Sequence, residues 1–295
     1  MQPNEQTDLA LDERYELGEL LADTDNSVLL KGYDLFNSRE VCIKLLKRSA
    51  AEADPEAIHR FRREALTLSE IDNKNVVEVY EFGSLGGGPG FVMEMVQGRP
   101  LSDVARQGEL ELLTILKIIR NIAEGLAHVH RLGIIHRDIK PANILLVDEA
   151  SAEIRIIDFG YAALPSRSAQ DDEALIGTLR YMAPEQAGLI CRPVGERADL
   201  YSLGCVAYEL LAGLPPFVSN RTEELLRSIQ TEQPTALRSF APEVPIVLER
   251  IINKLLEKNP DDRYRSVESL LFDLERLLTE LTSKRAAPIF EPDAS

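Results

Sequence analysis

The sequence predicts an α+β fold in which a small β-rich half is followed by a larger α-rich half. From about Tyr15 to Val96, short apolar runs of strand length are bounded by turn residues. After Gly98, apolar residues recur at helical spacing over longer segments, and the chain contains no internal repeat. We therefore expect a small part built on a β-sheet and a larger part built mainly from helices.

The N-terminal half is predicted to contain at least three strands and one helix. The apolar strand candidates are VCIKLL (41–46), VVEVYEF (76–82) and FVMEMV (91–96). The glycine-rich segment 84–90 predicts a hairpin between the last two strands. A helix is predicted over 55–71, because Pro55 favours a helix start and apolar residues share one face. These apolar residues are Ile58, Phe61, Ala65 and Leu68.

The C-terminal half contains three long segments with helical periodicity. The first covers 112–133 and ends at Gly133, a suitable C-cap. The second extends from about Asp199 to Ala212, and the third covers 259–281 with an acidic first turn and a leucine stripe suited to core packing. The predicted division is a flexible N-terminus (1–14), a domain (15–281) with halves 15–95 and 101–281 around a hinge (96–100), and a frayed tail (282–295).

Composition favours an ordinary soluble globular protein. Of the 295 residues, 44% are hydrophobic and 28% are charged, which argues against a wholly disordered or fibrous chain. The net charge of −16 makes binding of nucleic acid or of an anionic membrane through bulk charge unfavourable.

The sequence also predicts a cytoplasmic protein. The polar N-terminus lacks the features of a signal peptide, and the most apolar segment, 200–217, is interrupted by polar residues and two prolines. We therefore expect no membrane segment in this chain. The three cysteines, Cys42, Cys191 and Cys205, are widely spaced, form no metal or redox motif, and suit a reducing compartment.

Seven short motifs follow one another along the chain. They are Lys44 in VCIK, Glu64 in RRE, HRDIKPAN (136–143), DFG (158–160), GTLRYMAPEQ (177–186), DLYSLG (199–204) and NPDDR (259–263). One such motif could arise by chance, but seven in this order could hardly do so. Their residue types suit phosphoryl transfer, which needs positioning groups, cations near the phosphates and hard oxygen ligands for Mg²⁺.

With these motifs the sequence resembles the eukaryotic-type protein serine/threonine kinases, and in particular their bacterial members. The resemblance extends from roughly Tyr15 to Leu281. It implies a two-lobed protein-kinase-like fold, with a small antiparallel β-sheet lobe plus a helix and a larger α-helical lobe. It also implies transfer of the ATP γ-phosphate to Ser/Thr hydroxyls of protein substrates, with Mg²⁺ or alternatively Mn²⁺ as cofactor. It leaves the oligomeric state open.

The resemblance assigns the catalytic and metal-binding roles to the HRD and DFG motifs. Asp138 is expected to be the base that orients the substrate hydroxyl, and Lys140 to reach the transferring phosphate. Asn143 and Asp158 are expected to be the metal ligands.

Lys44 is expected to bind the α- and β-phosphates and to pair with an acidic residue on the predicted helix. Glu64 is favoured as this partner because apolar residues follow it, although Glu56 and Glu70 lie on or near the same helix. The alternative for each of these glutamates is a position on the solvent-exposed face of the helix, without a role in binding.

The resemblance also implies contacts with the adenine ring. Met93 is the expected gatekeeper, and the backbone of Glu94 and Val96 is the expected hinge. The side chains expected to sandwich the ring are those of Leu17, Leu145 and the Val28–Leu29 region, with Cys42 in place of the usual alanine.

The phosphate-covering loop departs from the family pattern G-x-G-x-x-G-x-V. Within residues 15–34 only Gly18 is in place, and polar residues such as Asp23, Asp25 and Asn26 lie where glycines are usual. Asp and Asn tolerate the left-handed conformation, so a tight turn can form. Carboxylates over a triphosphate would repel it unless they point outward.

The resemblance also implies two structural contacts and one regulatory site. Asp199 is expected to brace the HRD backbone, and Arg263 to form a buried ion pair with Glu185. Arg137 is expected to bind a phosphate on the activation loop. The candidate phosphorylation sites are Ser166 and Ser168, unless Asp171, Asp172 and Glu173 supply the charge permanently.

Two alternative functions remain open from the sequence. A pseudokinase-like binding scaffold with weak or no turnover would be consistent with the glycine-poor loop. A small-molecule phosphotransferase of related fold is disfavoured by the intact APE segment at 183–185.

Overall fold

The computed structural model describes residues 11–158, apart from 12, 25, 55 and 109, and residues 172–283 and 290–293. Asp25, Ser166, Ser168 and Asp171 lie outside the described residues, as do the side chains of Asp172 and Glu173. The chain divides into two compact units, the first ending at Gln97 and the second beginning at Gly98. This division lies after the third predicted strand and before the first predicted long helix.

The first unit is a five-stranded antiparallel sheet with two helices. Its elements are β1 (Tyr15–Asp23), β2 (Ser27–Asp34), β3 (Arg39–Leu46), α1 (Arg48–Ala53), α2 (Glu56–Ser69), β4 (Val79–Leu85) and β5 (Gly88–Glu94). The strand order is β1-β2-β3-β5-β4, so the chain crosses from β3 through both helices to the far edge before it returns.

The predicted hairpin forms, but its turn is shorter than the glycine-rich segment. β4 and β5 pair as far as Leu85 and Gly88, which leaves Gly86 and Gly87 as a two-residue turn. Their φ angles of 60° and 80° match a turn that requires positive φ at both central residues. β4 begins at Val79, three residues later than predicted, and Val76 and Val77 are buried before it.

The two faces of this sheet have different roles. One face contributes to a buried cluster of Leu11, Tyr15, Val41, Ile43, Leu85 and Val92. The other carries Lys44, which lies opposite Phe91 in the β3–β5 ladder. α2 packs on this second face, since the Phe61 and Phe91 ring centroids lie 5.2 Å apart. The predicted apolar stripe of α2 is confirmed except at Ile58, which is exposed.

The second unit is mainly helical. Its elements are β6 (Arg99–Pro100), α3 (Leu101–Gln107), α4 (Leu112–Arg131), β7 (Ile144–Asp148), β8 (Glu153–Ile156), α5 (Asp172–Leu179), α6 (Glu196–Ala212), α7 (Thr222–Thr231), α8 (Ile246–Leu255) and α9 (Val267–Thr282). β6, β7 and β8 form a small antiparallel sheet. α6 is buried along most of its length and packs against α4 and α8. As predicted, Gly133 follows α4 with a positive φ of 72°.

The third predicted helix is divided. Pro260–Asp262 form one short 3-10 turn, and α9 begins only at Val267. Between them the backbone is extended at Arg263, whose guanidinium is held by buried partners, and at Ser266, the residue before α9. These contacts end the short turn before α9 begins. The apolar periodicity of the segment does not indicate this interruption.

The prediction of a frayed tail is wrong for residues 290–293. Phe290 is only 7% exposed, and the Arg276 guanidinium lies 4.1 Å from its ring centre. The Asp293 N–H donates to the Asp273 carboxylate at 2.7 Å. Burial of the ring together with these polar contacts offsets the entropy cost of ordering this part of the tail.

No helix in the described parts of the chain has both the length and the apolar character needed to cross a lipid bilayer.

Candidate functional site

Lys44 and Glu64 form the expected ion pair within the first unit. Lys44 lies on β3, and its Nζ donates to Glu64 Oε1 on α2 at 2.8 Å. Their side chains are 16% and 10% exposed, whereas Glu56 and Glu70 are exposed. The buried stripe of α2 therefore selects Glu64 as the partner, and the choice that the sequence left open is resolved.

Cys42 and Met93 share the sheet face of Lys44. Cys42 lies two residues before Lys44 on β3 and is paired with Met93 on β5. Burial raises the pKa of the Cys42 thiol to about 12, and the nearby Lys44 charge opposes this only in part. The thiol is therefore protonated near neutral pH and acts as a small apolar surface rather than as a nucleophile.

Strand register corrects the positions of Leu17 and Val28. Val28 pairs with Leu45, and Leu17 pairs with Gly32, so both lie on the face opposite Lys44. Leu29 pairs with Lys44, and Ala22 pairs with Leu29 on the next strand. A shift of one residue moves a side chain to the other face. Ala22 and Leu29 therefore share the face of Lys44, and strand parity counted from Lys44 favours Leu29 over Val28.

Gly18 also lies away from the turn that is expected to cover the phosphates. It lies within the β1–β2 ladder, where a Cβ would come within 2.7 Å of the Lys31 carbonyl oxygen. The pairing register shifts between Leu17 and Leu20, so Gly18 lies in a bulge. Its role is to allow close approach of two strands, five residues before the end of β1.

The tip of the β1–β2 hairpin is closed by side-chain hydrogen bonds. The Thr24 N–H and hydroxyl both donate to the Ser27 carbonyl at 2.9 Å, and the Ser27 N–H donates to Thr24 Oγ1 at 3.1 Å. This arrangement forms a tight turn without the glycines that are usual in the family. The Asp23 carboxylate at the end of β1 pairs with Lys47.

The remaining expected adenine contacts occupy several elements. The Glu94 N–H at the end of β5 donates to the Glu78 carbonyl at 2.8 Å, and half-buried Val96 follows the strand. Leu145 is half-buried on β7, opposite Arg155. Contacts of these residues with a nucleotide stay predictions.

The HRD segment is held by Asp199, as expected. This fully buried residue on α6 accepts from the backbone N–H groups of His136 at 2.9 Å and Arg137 at 2.8 Å. His130 Nε2 on α4 donates to the same carboxylate at 2.8 Å. The hydrogen bonds fix a backbone in which Arg137 has an unfavourable positive φ of 68°.

Asp138 lies at the centre of the polar cluster in the second unit. Its Oδ2 accepts from Lys140 Nζ and from Asn143 Nδ2, both at 2.8 Å. Burial raises the pKa of the Asp138 carboxyl, and the charge and hydrogen bond of Lys140 oppose this shift. Burial also lowers the pKa of His136, and the neutral ring accepts the Asp138 N–H at Nδ1 at 3.2 Å. The loop backbone and the carboxylate are thus both fixed.

Asn143 and Asp158 provide oxygen atoms suited to Mg²⁺. The Asn143 amide nitrogen also donates to the Asp138 carbonyl at 2.9 Å, so the amide oxygen is directed away from Asp138. The Asn143 carbonyl accepts the Ile157 N–H at 2.9 Å, which ties Asn143 to the residue before Asp158. The charge of Asp158 contributes to the raised pKa of Asp138, so the two carboxylates interact.

This donor set fits a divalent cation that shares its coordination with phosphate. Within the described residues, no group of three His, Cys, Asp or Glu side chains could hold a metal alone. Mg²⁺ is usually bound through one or two carboxylates together with substrate phosphates. An amide oxygen, a carboxylate and phosphate oxygens satisfy that requirement.

The expected buried pair of Arg263 and Glu185 is confirmed. The guanidinium donates to both Glu185 oxygens at 2.6 and 2.8 Å, and both side chains are fully buried. It also donates to the backbone carbonyls of Arg197, Glu257 and Lys258. The adjacent Gln186 donates to the Arg137 carbonyl at 2.6 Å. The APE segment is thereby joined to both the HRD loop and Arg263.

Comparison with known proteins agrees with this geometry. The protein kinase domain model matches residues 15–272. A protein named serine/threonine-protein kinase PknB from Mycobacterium leprae is 35% identical over 274 residues, which cover 90% of this chain and 43% of that protein. A protein of the same name from Mycolicibacterium smegmatis is 36% identical over 275 residues, with the same coverage of both chains.

A solved structure supports the fold. The crystal structure of Rad53 residues 1–466 in complex with AMP-PNP aligns with a TM-score of 0.70 and 23% identity, over 88% of this chain and 64% of that one. The chain spans less than half the length of the two curated relatives. On the match over residues 15–272, the chain belongs to the protein kinase domain family.

Proposed function

We propose that the chain is a protein serine/threonine kinase domain that transfers the ATP γ-phosphate to Ser/Thr hydroxyls of protein substrates. The observation that carries the proposal is the Asp138 carboxylate, held by Lys140 and Asn143 in a loop anchored on Asp199. The names of the relatives support the serine/threonine class. Membership of the protein kinase domain family supports ATP as the phosphate donor.

The mechanism follows from the charge and position of each side chain. The Asp138 carboxylate orients the substrate hydroxyl and accepts its proton. Lys140 keeps that carboxylate ionised and offers positive charge to the transferring phosphate. Lys44, held by Glu64, binds the α- and β-phosphates.

Asn143 and Asp158 are proposed to hold the divalent ion through their oxygen atoms. When bound, Mg²⁺ supplies neutralisation of the triphosphate charge. Mn²⁺ prefers similar oxygen ligands and is proposed as an alternative ion.

The alternative of a binding scaffold receives no support from the relatives, which are named as kinases. The polar cluster around Asp138 is also intact, and the hairpin tip folds without its glycines. A small-molecule phosphotransferase is likewise disfavoured by those names. The free thiols of Cys42, Cys191 and Cys205 support a reducing, cytoplasmic setting.

The test is the identity of the phosphorylated group. The chain is incubated with labelled ATP, Mg²⁺ and basic protein acceptors, and phosphoamino-acid analysis follows acid hydrolysis. We expect phosphoserine and phosphothreonine from the wild type. Both should be absent from the Lys44→Met variant. Label on tyrosine alone, or only on small metabolites offered in parallel, would overturn the substrate class.

A further inference from the structure

Lys47 ties the end of β3 to the tip of the β1–β2 hairpin. Its Nζ lies 2.5 Å from Asp23 Oδ1. Its backbone N–H donates to the Asn26 carbonyl at 2.8 Å, directly beyond the Ser27–Leu46 pair of the ladder. Lys47 therefore contacts the turn on both sides: its side chain binds Asp23 at the end of β1, and its backbone binds Asn26 just before β2.

Strand parity shows which way Asp23 is directed. Ala22, Leu29 and Lys44 are successive ladder partners and share one face. Asp23 follows Ala22 and pairs with Val28, so its side chain lies on the opposite face. Lys47 lies three residues after Lys44, on that same opposite face. The ion pair thus holds the carboxylate on the side of the sheet away from Lys44.

The hairpin tip is close enough to Lys44 for this charge to matter. Two strand spacings of roughly 4.8 Å separate Lys44 from Ala22, or about 10 Å in total. This is comparable to the Debye length of about 8 Å at physiological salt. A free carboxylate here would repel a triphosphate bound by Lys44.

We propose that Lys47 is a positioning residue for the nucleotide: it holds the Asp23 carboxylate on the face to which strand parity directs it and cancels its charge, so that a glycine-poor hairpin can cover ATP. The inference rests on the proposed function. Stability does not account for the pair, because the side chains of Lys47 and Asp23 are 29% and 54% exposed and such pairs contribute little to folding.

The test is a double-mutant cycle on nucleotide affinity. We expect Lys47→Met to raise the Kd for MgATP by about threefold to tenfold, with a matching rise in KM and little change in kcat. Asp23→Asn combined with Lys47→Met should restore the wild-type Kd, and Lys47→Arg should retain it. The penalty should be smaller for ADP and absent for adenosine, because it follows the charge of the ligand.

Arg48→Met is the matched control. It removes a positive charge from the neighbouring residue, whose partner Glu52 lies on α1 rather than on the hairpin. An equal loss in this control, an unchanged Kd in Lys47→Met, or a loss that persists in the double variant would overturn the inference. A wild-type chain that binds no MgATP and transfers no phosphate would instead overturn the proposed function together with it.

Discussion

Asp138 has its charge state set by opposing neighbours. Burial disfavours the carboxylate and raises its pKa, whereas the Lys140 ammonium at 2.8 Å favours the ionised form. Asp158 acts in the same direction as burial. At the scale of single residues, Lys140 is therefore expected to serve two purposes: it faces the transferring phosphate, and it keeps the base ionised.

Lys140→Met is expected to shift the acidic limb of the pH–activity profile. A base works only when it is ionised, so activity is present above its pKa and is lost as the pH falls through it. Burial already places this loss at a higher pH than for an ordinary carboxyl, and removal of Lys140 raises the pKa of Asp138 further. The acidic limb of kcat/KM should therefore move to higher pH than in the wild type, in addition to any fall in rate.

Profiles of kcat/KM measured from about pH 5 to 8 would check this expectation. Lys117→Met, which lies on α4 outside the catalytic loop, is the control and should leave the limb in place. An unshifted limb in Lys140→Met, or a shift to lower pH, would contradict the assigned role of Lys140.

At the scale of elements, the Lys44–Glu64 pair joins β3 to α2. The ion pair is short and largely shielded from water, and the Phe61–Phe91 contact holds the same helix on the same sheet face. The position of the Lys44 ammonium therefore depends on how α2 packs.

Glu64→Gln should lower kcat/KM by about 10- to 100-fold, because the neutral amide holds the ammonium less firmly and a small displacement of a phosphate-binding group is costly. Steady-state kinetics with ATP as the varied substrate would measure this change. Glu56→Gln, on the exposed start of the same helix, is the matched control and should retain wild-type kinetics. Equal effects in the two variants would show that helix stability, rather than the ion pair, is responsible.

The helices α4 and α6 and the polar cluster around Asp138 were predictable from the sequence, because their patterns are local. The periodicity of α4 and α6 is local, so both were expected to within a few residues. The Asp138 cluster was also predictable, because its members lie within one short motif at 136–143.

Strand register and tail docking could not be obtained in this way. Two pairing shifts in β1 decide which residues of β1 share the face of Lys44, and such shifts depend on contacts across strands. The burial of Phe290 depends on α9, with which it shares no periodic pattern. Both features are tertiary, and a single-sequence pattern carries little information about them.

At the scale of the whole molecule, the chain divides into two compact units, and the larger one contains buried charged groups that pair with one another. Arg263 and Glu185 are fully buried, and Asp199 is fully buried beneath the HRD loop. Removing one member of such a set leaves an uncompensated charge in the interior. The catalytic loop therefore depends on polar contacts that also stabilise this unit.

Arg263→Met should destabilise the unit that begins at Gly98 by about 3–5 kcal/mol, since it leaves the Glu185 carboxylate buried without its partner. Urea unfolding followed by circular dichroism would measure the change. Arg265→Met, at an exposed position two residues along, should stay within about 0.5 kcal/mol of the wild type. A comparable loss in both variants would show that burial of the pair is not the cause.

The most direct measurement of the central claim is the initial rate of phosphoryl transfer from labelled ATP with Mg²⁺, for the wild type and Asp138→Asn. Asp148→Asn at the exposed β7–β8 turn is the matched control. The proposed mechanism predicts transfer by the wild type and the control, and a rate about 10²- to 10⁴-fold lower in Asp138→Asn with folding unchanged. Equal rates in all three chains, or no transfer by the folded wild type, would contradict the assignment of Asp138 as the catalytic base.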